Sequence, residues 1–485
     1  MPTTNLKDKA AQGFLWGALN NGTMQVLNAV FGIVLARLLS QEDYGLIGML
    51  AIFSLIANSL QDSGFVTALT NRRDATHRDY NSVFWFNICV SLCLYVLLFF
   101  LAPLIAVFFD EPILTNLSRY YFFGFFIASF SIVPRAILFR QIRQRELAIM
   151  GLVSLLISGI VGIAMAYNGM AYWGLATQTI TFNLMVSILS WVLSRWRPSL
   201  QVSFQPIREM FGFSSKMLIT NIINQINNNV FSLILGKLYT KVEVGTYNQA
   251  NKWNLMGAST ITGMVQGVAQ PTFVQVGDDP ERLCRAFSKM LRFTCFISFP
   301  VMFGLSLIAP EFILILIKEK WLSSAYLMQN LCIGGAFLPI ATLYFNLIIS
   351  RGKSDVYMWN IIAQGCTILA CILLVHILGG SITHMVQTYI AIIILWTGIW
   401  HFFLYKEIRY PFLSALKDIL PFLLIAAASM LITYFATCWI TNIRFLLFAR
   451  IFCAAIIYLV VLWVFGAKIL RECVGYLFHS KTHLF

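Results

Sequence analysis

Two stretches of this chain, 200 residues apart, share one pattern. Residues 21–45 read NGTMQVLNAVFGIVLARLLSQEDYG, and residues 221–245 read NIINQINNNVFSLILGKLYTKVEVG. Eight of the 25 positions are identical at this constant offset, including three amides and the final glycine. Apolar composition alone would not match the amides and the glycine. The sequence therefore predicts a structure built from two repeats.

The rest of the chain is strongly apolar. Of its 485 residues, 59% are hydrophobic and 11% are charged, whereas a soluble domain carries roughly a quarter charged residues. Apolar stretches of about 20 residues, the length that crosses a bilayer, recur throughout. We therefore predict an all-α polytopic membrane protein with about fourteen transmembrane helices. The predicted spans run near residues 14–37, 44–69, 81–109, 118–140, 147–167, 171–194, 211–237, 244–275, 286–316, 324–350, 356–378, 384–405, 414–439 and 445–468.

Later landmarks extend the repeat over six spans. Pro103 in span three matches Pro310 in span nine, and Pro134 in span four matches Pro339 in span ten. Because six is even, the two copies share one orientation, and they are expected in pseudo-twofold repeat around a central cavity. The predicted units are a lobe of residues 1–200, a lobe of residues 201–410, and residues 411–485, which hold two extra C-terminal helices and a cytoplasmic tail.

The net charge of +14 is explained by topology. Most basic residues lie in the loops on the side of the two termini, as expected for loops that face the cytoplasm. Both termini are therefore predicted to be cytoplasmic, with membrane lipids rather than nucleic acid as the partners of these residues. The cysteines and histidines show no metal-ligand spacing, so no metal site and no cofactor are predicted.

Amides on three spans are the predicted lining of the substrate cavity. An amide offers donors and an acceptor, which suits sugar hydroxyl groups, although amides also join helices in membranes. On spans one and seven they recur on one helical face, and on span eight they surround Lys252. The predicted set is Asn21, Gln25, Asn28, Asn221, Asn224, Gln225, Asn228, Asn248, Asn251 and Lys252.

Lys252 is the cation predicted to meet a substrate pyrophosphate; the alternative is that it extends to the membrane interface. Asp62 is the clearest carboxylate within a span. It carries a coupling proton or sodium ion, pairs with a basic residue during the conformational cycle, or caps a broken helix. Four arginine and lysine residues are candidates for gating, with membrane anchoring as the alternative for each. They are Arg135, Arg140, Arg37 and Lys237.

Four segments resemble one transporter family. They are Gly13-Phe14-Leu15-Trp16, the stretch LARLLSQEDYGL at 35–46, Gln61-Asp62-Ser63-Gly64-Phe65, and GTYNQANK at 245–252. Together they resemble the polysaccharide transporters, or Wzx-type oligosaccharide-lipid flippases, whose superfamily includes the lipid II flippase and the multidrug and toxin extruders. Gln41 departs from the pattern, because many relatives have proline before the acidic pair.

The resemblance implies a bacterial inner-membrane flippase for an undecaprenyl-pyrophosphate-linked oligosaccharide, working by alternating access. It also implies coupling to an ion, and the glycan polymerase and export machinery as further partners. The identity of the sugar stays open, as does the kind of glycan, which is an O-antigen, a capsule or an exopolysaccharide. A multidrug extruder is the alternative, disfavoured because few carboxylates lie within the spans. A membrane enzyme of glycan assembly comes third, because the outer loops are short and no catalytic acid/base pair is present.

Overall fold

The computed structural model describes residues 22–62, 76–141, 143–199, 231–276 and 279–464, with eight single positions: 203, 205, 207, 208, 222, 225, 229 and 469. Every regular element in these ranges is a helix. The described chain forms two compact units, Met1–Gly245 and Thr246–Phe485. The predicted division at residues 200 and 410 stays a prediction.

The first unit contains seven described helices and the first turn of an eighth. They are α1 (Gly22–Leu38), α2 (Gln41–Asp62), α3 (His77–Phe108), α4 (Leu114–Arg140), α5 (Gln144–Tyr167), α6 (Ala171–Ser194), α7 (231–238) and the start of α8 (Lys241–Val276).

The second unit begins within α8 and continues to the end of the described chain. Its helices are α9 (Pro280–Ile317), a 3₁₀ turn (Glu319–Trp321), α10 (Leu322–Gly335), α11 (Leu338–Ser350), α12 (Ser354–Ile377), α13 (Ile382–Ile408), α14 (Phe412–Thr437) and α15 (Ile443–Val464).

Nine helices in the described ranges, and the stretch Glu319–Ser350 that contains α10 and α11, are long and apolar enough to cross a membrane. A helix rises 1.5 Å per residue, so about 20 residues cover a hydrocarbon core of about 30 Å. Each of the fourteen predicted spans contains described helical residues, although the first, second, seventh and fourteenth are described only in part. The prediction of an all-α polytopic membrane protein is confirmed.

Span ten, predicted near residues 324–350, consists of two consecutive helices. It is divided into α10 and α11 at Ala336 and Phe337, and Pro339 lies in the first turn of α11. Proline lacks the N–H that a helix interior requires and disfavours helical geometry in the residue before it. The Ser298 hydroxyl donates to the carbonyl oxygen of Ala336 at 2.7 Å, which satisfies an acceptor at the break. Pro134, its predicted counterpart, lies inside the uninterrupted helix α4.

In the first unit, α6 packs on α4 through a row of polar side chains. Asn183, Ser187 and Trp191, spaced four residues apart, each donate to a backbone carbonyl of α4 at 2.7–3.0 Å. Four-residue spacing places them on one helical face. Because lipid supplies no hydrogen bonds, such contacts join membrane helices. Polar residues in these spans therefore include structural ones.

In the second unit, α14 and α15 pack along α9. Arg450 Nη1 of α15 lies 2.6 Å from Glu311 Oε1 of α9, with both side chains less than a tenth exposed. Nearer the other end of α9, the Tyr458 hydroxyl donates to the Phe296 carbonyl at 3.0 Å. A buried charge is tolerated in such surroundings because its partner is close. This pair explains Arg450, which the sequence places inside a span.

Candidate functional site

Helices α2 and α8 begin with the same N-terminal cap. The backbone N–H and hydroxyl of Ser40 donate to Asp43 Oδ2 at 2.8 and 2.7 Å, and those of Thr240 both donate to Glu243 Oε2 at 3.0 Å. The N–H of Asp43 and of Glu243 donates back to the hydroxyl. This is a capping box, which satisfies free N–H groups at a helix start. The matched residues of the two repeats therefore have one local role.

Two repeat-related glycines bring these helix starts into contact. A Cβ atom on Gly45 would overlap the carbonyl oxygen of Lys241, and one on Gly245 would overlap the carbonyl oxygen of Gln41. Because Gln41 and Lys241 are themselves 200 residues apart, the two contacts are equivalent. We call residues 41–45 and 241–245 the glycine junction. Only glycine leaves room for backbone this close.

Ion pairs surround the glycine junction. Lys241 Nζ lies 3.5 Å from Glu42 Oε2 and 3.3 Å from Glu111 Oε1, and Lys237 Nζ lies 3.2 Å from Asp110 Oδ2. Desolvation lowers the pKa of Lys241, but its hydrogen bonds to the two glutamates and their charges outweigh this effect and leave that pKa raised. These residues border a cavity of about 580 Å³. The junction is therefore held by charges as well as by backbone contact.

Two turns further along, α8 carries a face of polar side chains. Asn248, Asn251 and Lys252 are half-buried and lie at i, i+3 and i+4, which are neighbouring positions on a helix. We call these three residues the polar face. Trp253 is on the opposite side, where its ring packs edge-on against Phe312 of α9 with centroids 5.0 Å apart. The Lys252 ammonium lies 5.7 Å from the Trp253 ring centroid, within reach of its electrons.

Two buried amides lie beside the polar face. Gln249 is 1% exposed, and neither atom of its amide group has a hydrogen-bond partner among the described residues. Asn254 donates to Asn251 Oδ1 at 3.4 Å, and its side-chain oxygen lies against Gly335 of α10, where a Cβ atom would overlap it. Polar groups buried in a protein normally find partners. These amides extend the polar surroundings of Lys252 inside the second unit.

The remaining predicted cavity residues are described only in part. Gln25 is half-buried and Asn28 exposed on α1, and the Gln225 carbonyl accepts from Asn229 at 2.9 Å. Asn21, Asn221, Asn224 and Asn228 lie outside the described residues, as does the side chain of Asp62 at the end of α2. The structure therefore brings together Asn248, Asn251 and Lys252, while the roles of the others stay predictions.

The predicted gating cations are found in three settings. Arg135 is exposed on α4, whereas Arg140 donates to the Tyr80 hydroxyl at 2.7 Å. Arg37 is exposed at the end of α1. Lys237 pairs with Asp110 and also lies 5.3 Å from the ring centroid of Phe108. Lys237 therefore borders the glycine junction together with an acidic partner.

Sequence reasoning missed the partners that complete the glycine junction. Glu42, Asp110, Glu111 and Lys241 were not among the predicted site residues, although they form its ion pairs. A signal was present, since Lys241 occupies the repeat position of Gln41, next to matched caps. Asp110 and Glu111 gave no such signal, because they follow α3 and reach the junction only through the packing of the first unit.

The comparison with protein families identifies the chain's relatives. Residues 34–326, more than half of the chain, match the family described as polysaccharide biosynthesis protein. The chain belongs to this family. The prediction made from the repeated stretch and its flanks is therefore confirmed.

Two curated relatives cover most of the chain. The lipopolysaccharide biosynthesis protein WzxC of Escherichia coli K12 is 24% identical over 73% of this chain and 72% of its own length. The succinoglycan biosynthesis transport protein ExoT of Rhizobium meliloti is 24% identical over 74% of this chain and 72% of its own length. Both belong by name to polysaccharide or lipopolysaccharide biosynthesis.

Two solved structures share the fold. The lipid II flippase MurJ, in an inward closed conformation, superposes with a TM-score of 0.76 at 16% identity, over 95% of this chain and all of its own. An inward-facing multidrug resistance transporter of the MATE family has a TM-score of 0.61 at 14% identity, over 84% of this chain and 95% of its own. The chain thus has the fold of membrane transporters.

Proposed function

We propose that this protein is a flippase that moves an undecaprenyl-pyrophosphate-linked oligosaccharide from the cytoplasmic to the outer leaflet of the bacterial inner membrane by alternating access. Membership of the polysaccharide biosynthesis family supports a glycan substrate. The named roles of ExoT in transport and of MurJ as a lipid flippase support the reaction class. The lipid carrier, the membrane and the cytoplasmic position of both termini are parts of this proposal.

The observation that carries the proposal is the polar face of α8. Its two amides offer donors and acceptors in neighbouring positions, which match vicinal sugar hydroxyls. Lys252 adds one compact positive charge, suited to a pyrophosphate oxygen. An ionisable residue within a membrane span marks a substrate or ion pathway by default. The same helix turn therefore serves both halves of an anionic, sugar-bearing head group.

The glycine junction is the proposed outer gate. It precedes predicted spans two and eight, on the side that the loop charges assign to the exterior. The ion pairs of Lys237 and Lys241 are exposed or partly exposed, and surface pairs contribute only about 0.2–1 kcal/mol each, so breaking them costs little. The substrate needs to favour the open state by only a few kcal/mol to shift such an equilibrium. Weak ion pairs around a closely packed backbone contact suit a gate that opens once for each transported molecule.

Coupling to protons or sodium ions remains a proposal centred on Asp62. If Asp62→Asn transports with the same pH and sodium dependence as the unaltered protein, this carboxylate has no coupling role. We expect instead that the dependence weakens, because an amide cannot exchange a proton or neutralise a cation.

Deletion of the gene tests the proposed substrate directly. We expect a lipid-linked oligosaccharide to accumulate in the cytoplasmic leaflet and surface glycan to be lost, and mass spectrometry of the lipid extract identifies the sugar. The unaltered gene restores the surface glycan, whereas Asn251→Ala restores less. Asn330→Ala is the matched control, because that amide bonds the Tyr326 carbonyl of its own helix at 2.9 Å.

The same strain discriminates against multidrug extrusion. A flippase deletion leaves susceptibility to cationic drugs unchanged while the glycan lipid accumulates. Drug hypersensitivity without accumulation would instead assign the protein to the extruders, which share its fold.

A further inference from the structure

A basic cavity of about 480 Å³ lies in the second unit, where the first turns of α9 and α14 meet. Three of its cations, Arg285, Lys289 and Arg292, recur at i, i+4 and i+7 on α9 and so share one helical face. Lys417 of α14 adds a fourth. We call this space the basic cavity. It is separate from the polar face and from the glycine junction, whose residues do not line it.

Among the described residues that line the basic cavity, Asp418 is the one carboxylate, and it is fully engaged. Asp418 is 4% exposed, accepts hydrogen bonds from the hydroxyls of Ser288 and Tyr410, and lies 2.6 Å from Arg292 Nε. Burial and the bond to Asp418 raise the pKa of Tyr410, so its hydroxyl stays a donor. Arg292 and Asp418 balance each other's charge. The other charged residues that line the described part of the cavity, Arg285, Lys289 and Lys417, are positive, which favours an anion there.

An apolar cavity of about 270 Å³ adjoins the basic cavity along α8 and α9. It is lined by Ile261, Met264, Phe293 and Ile297, and Lys289 lines both cavities. A lysine stem packs along apolar surface while its ammonium remains among polar groups. Positive and apolar spaces are thus joined at one residue, the arrangement that an anion attached to a hydrocarbon chain requires.

We propose that the basic cavity binds the phosphate headgroup of an anionic phospholipid, with an acyl chain along the adjoining apolar cavity. The cavity lies at the ends of α9 and α14 that the loop charges assign to the cytoplasmic side. Basic pockets between membrane helices on this side suit anionic headgroups. The apolar neighbour favours a lipid over free phosphate, which would use only the charged part.

Lipid binding to the purified full-length protein tests this assignment. Arg285 and Lys417 are exposed, so Arg285→Gln/Lys417→Gln removes two charges while Arg292 and Asp418 keep their contacts. The matched control is Arg195→Gln/Lys353→Gln, which removes the same charges from exposed positions away from the cavity. Native mass spectrometry counts bound phosphatidylglycerol, and the thermal unfolding midpoint is measured with phosphatidylglycerol, phosphatidylcholine or inorganic phosphate. The single variant Lys417→Gln serves if the double variant does not fold.

We expect phosphatidylglycerol to bind and stabilise the unaltered and control proteins, and to bind the cavity variant about 30-fold more weakly. Two basic residues near a membrane surface each attract an anionic lipid by about 1 kcal/mol, and each 1.4 kcal/mol is tenfold in affinity. Lys417→Gln alone should weaken binding about fivefold. Equal binding by the cavity and control variants overturns the proposal. Equal stabilisation by phosphatidylcholine, or by inorganic phosphate at the same concentration, overturns the anionic lipid as occupant.

Discussion

Helices α2 and α8 start alike and then diverge. Their first residues share a capping box and a glycine on which a Cβ atom would overlap the other helix's backbone. Beyond the first turn, α8 has Asn248, Asn251 and Lys252 where α2 has Gly48, Ala51 and Ile52. The two helix starts contact each other through equivalent residues, so a substitution in one start also affects the other. The polar face of α8 has no counterpart in α2, and it is the part that we propose to meet the substrate.

The largest expected effect comes from replacing Lys252 of α8 with isoleucine, the residue that α2 has at the matching position. Lys252→Ile removes the cation of the polar face, and we expect about a 10–100-fold loss of glycan transfer, since a hydrogen bond to a charged group contributes about 1.5–3 kcal/mol. Surface glycan and membrane protein level are measured together. Lys252→Arg keeps the charge and retains part of the activity. Normal transfer by Lys252→Ile would remove this residue from the substrate path.

The second largest effect is expected from substitutions that disturb the contact between the two helix starts. Gly245→Ala places a Cβ against the Gln41 carbonyl oxygen, and overpacking of this kind costs about 1–3 kcal/mol of the free energy of unfolding. Gly45→Ala should cost the same by symmetry. Gly263→Ala is the control, because no heavy atom lies within 4 Å of its added Cβ. It should leave the thermal unfolding midpoint unchanged or higher, since alanine favours a helix over glycine. Equal midpoints for Gly245→Ala and Gly263→Ala would contradict the contact.

The two capping boxes test whether the helix starts of the two repeats are equivalent in stability. Thr240→Ala and Ser40→Ala each remove the hydroxyl of a capping box, which costs about 1 kcal/mol of stability. Because the two boxes have the same geometry, we expect the two losses to agree within about 0.5 kcal/mol. Thermal unfolding of the purified single variants measures this. A loss confined to one of them would show that the repeated caps are not equivalent.

The smallest expected effect is at Lys241, one of the two junction positions where only one of the repeats carries a charge. Lys241→Gln gives α8 the residue of α2 and removes ion pairs contributing about 0.2–1 kcal/mol each, less at high salt. Because the pKa of Lys241 is raised above 10.5, its contribution is fully present below pH 10.5 and is lost as the pH rises through that raised pKa. The stability difference between the variant and the unaltered protein should therefore be constant from pH 7 to about pH 10. A difference that disappears by pH 9, or that high salt leaves unchanged, would contradict this assignment.

The helical architecture could be predicted from the sequence because membrane spans are recognised by their length and apolar composition. Helix α6 occupies the predicted residues 171–194, and α12 and α13 begin two residues before their predicted starts. Span ten lies where hydropathy placed it, but hydropathy does not show its division into two helices, which follows from the local geometry at Pro339. The partner of Arg450 was also out of reach, since Glu311 lies in a helix distant along the chain.

What the sequence determined by itself was what local pattern and repetition can encode. The number and nature of the spans follow from hydropathy, the two caps follow from Ser40, Thr240 and their acidic partners, and the family follows from motifs that need no folding to be seen. Only the tertiary structure decided why Gly45 and Gly245 are glycines, which carboxylates meet Lys241, and that Arg285, Lys289 and Lys417 line one cavity. These contacts join residues that are far apart in the chain. Local sequence does not show which distant residues meet, because that depends on how the helices pack.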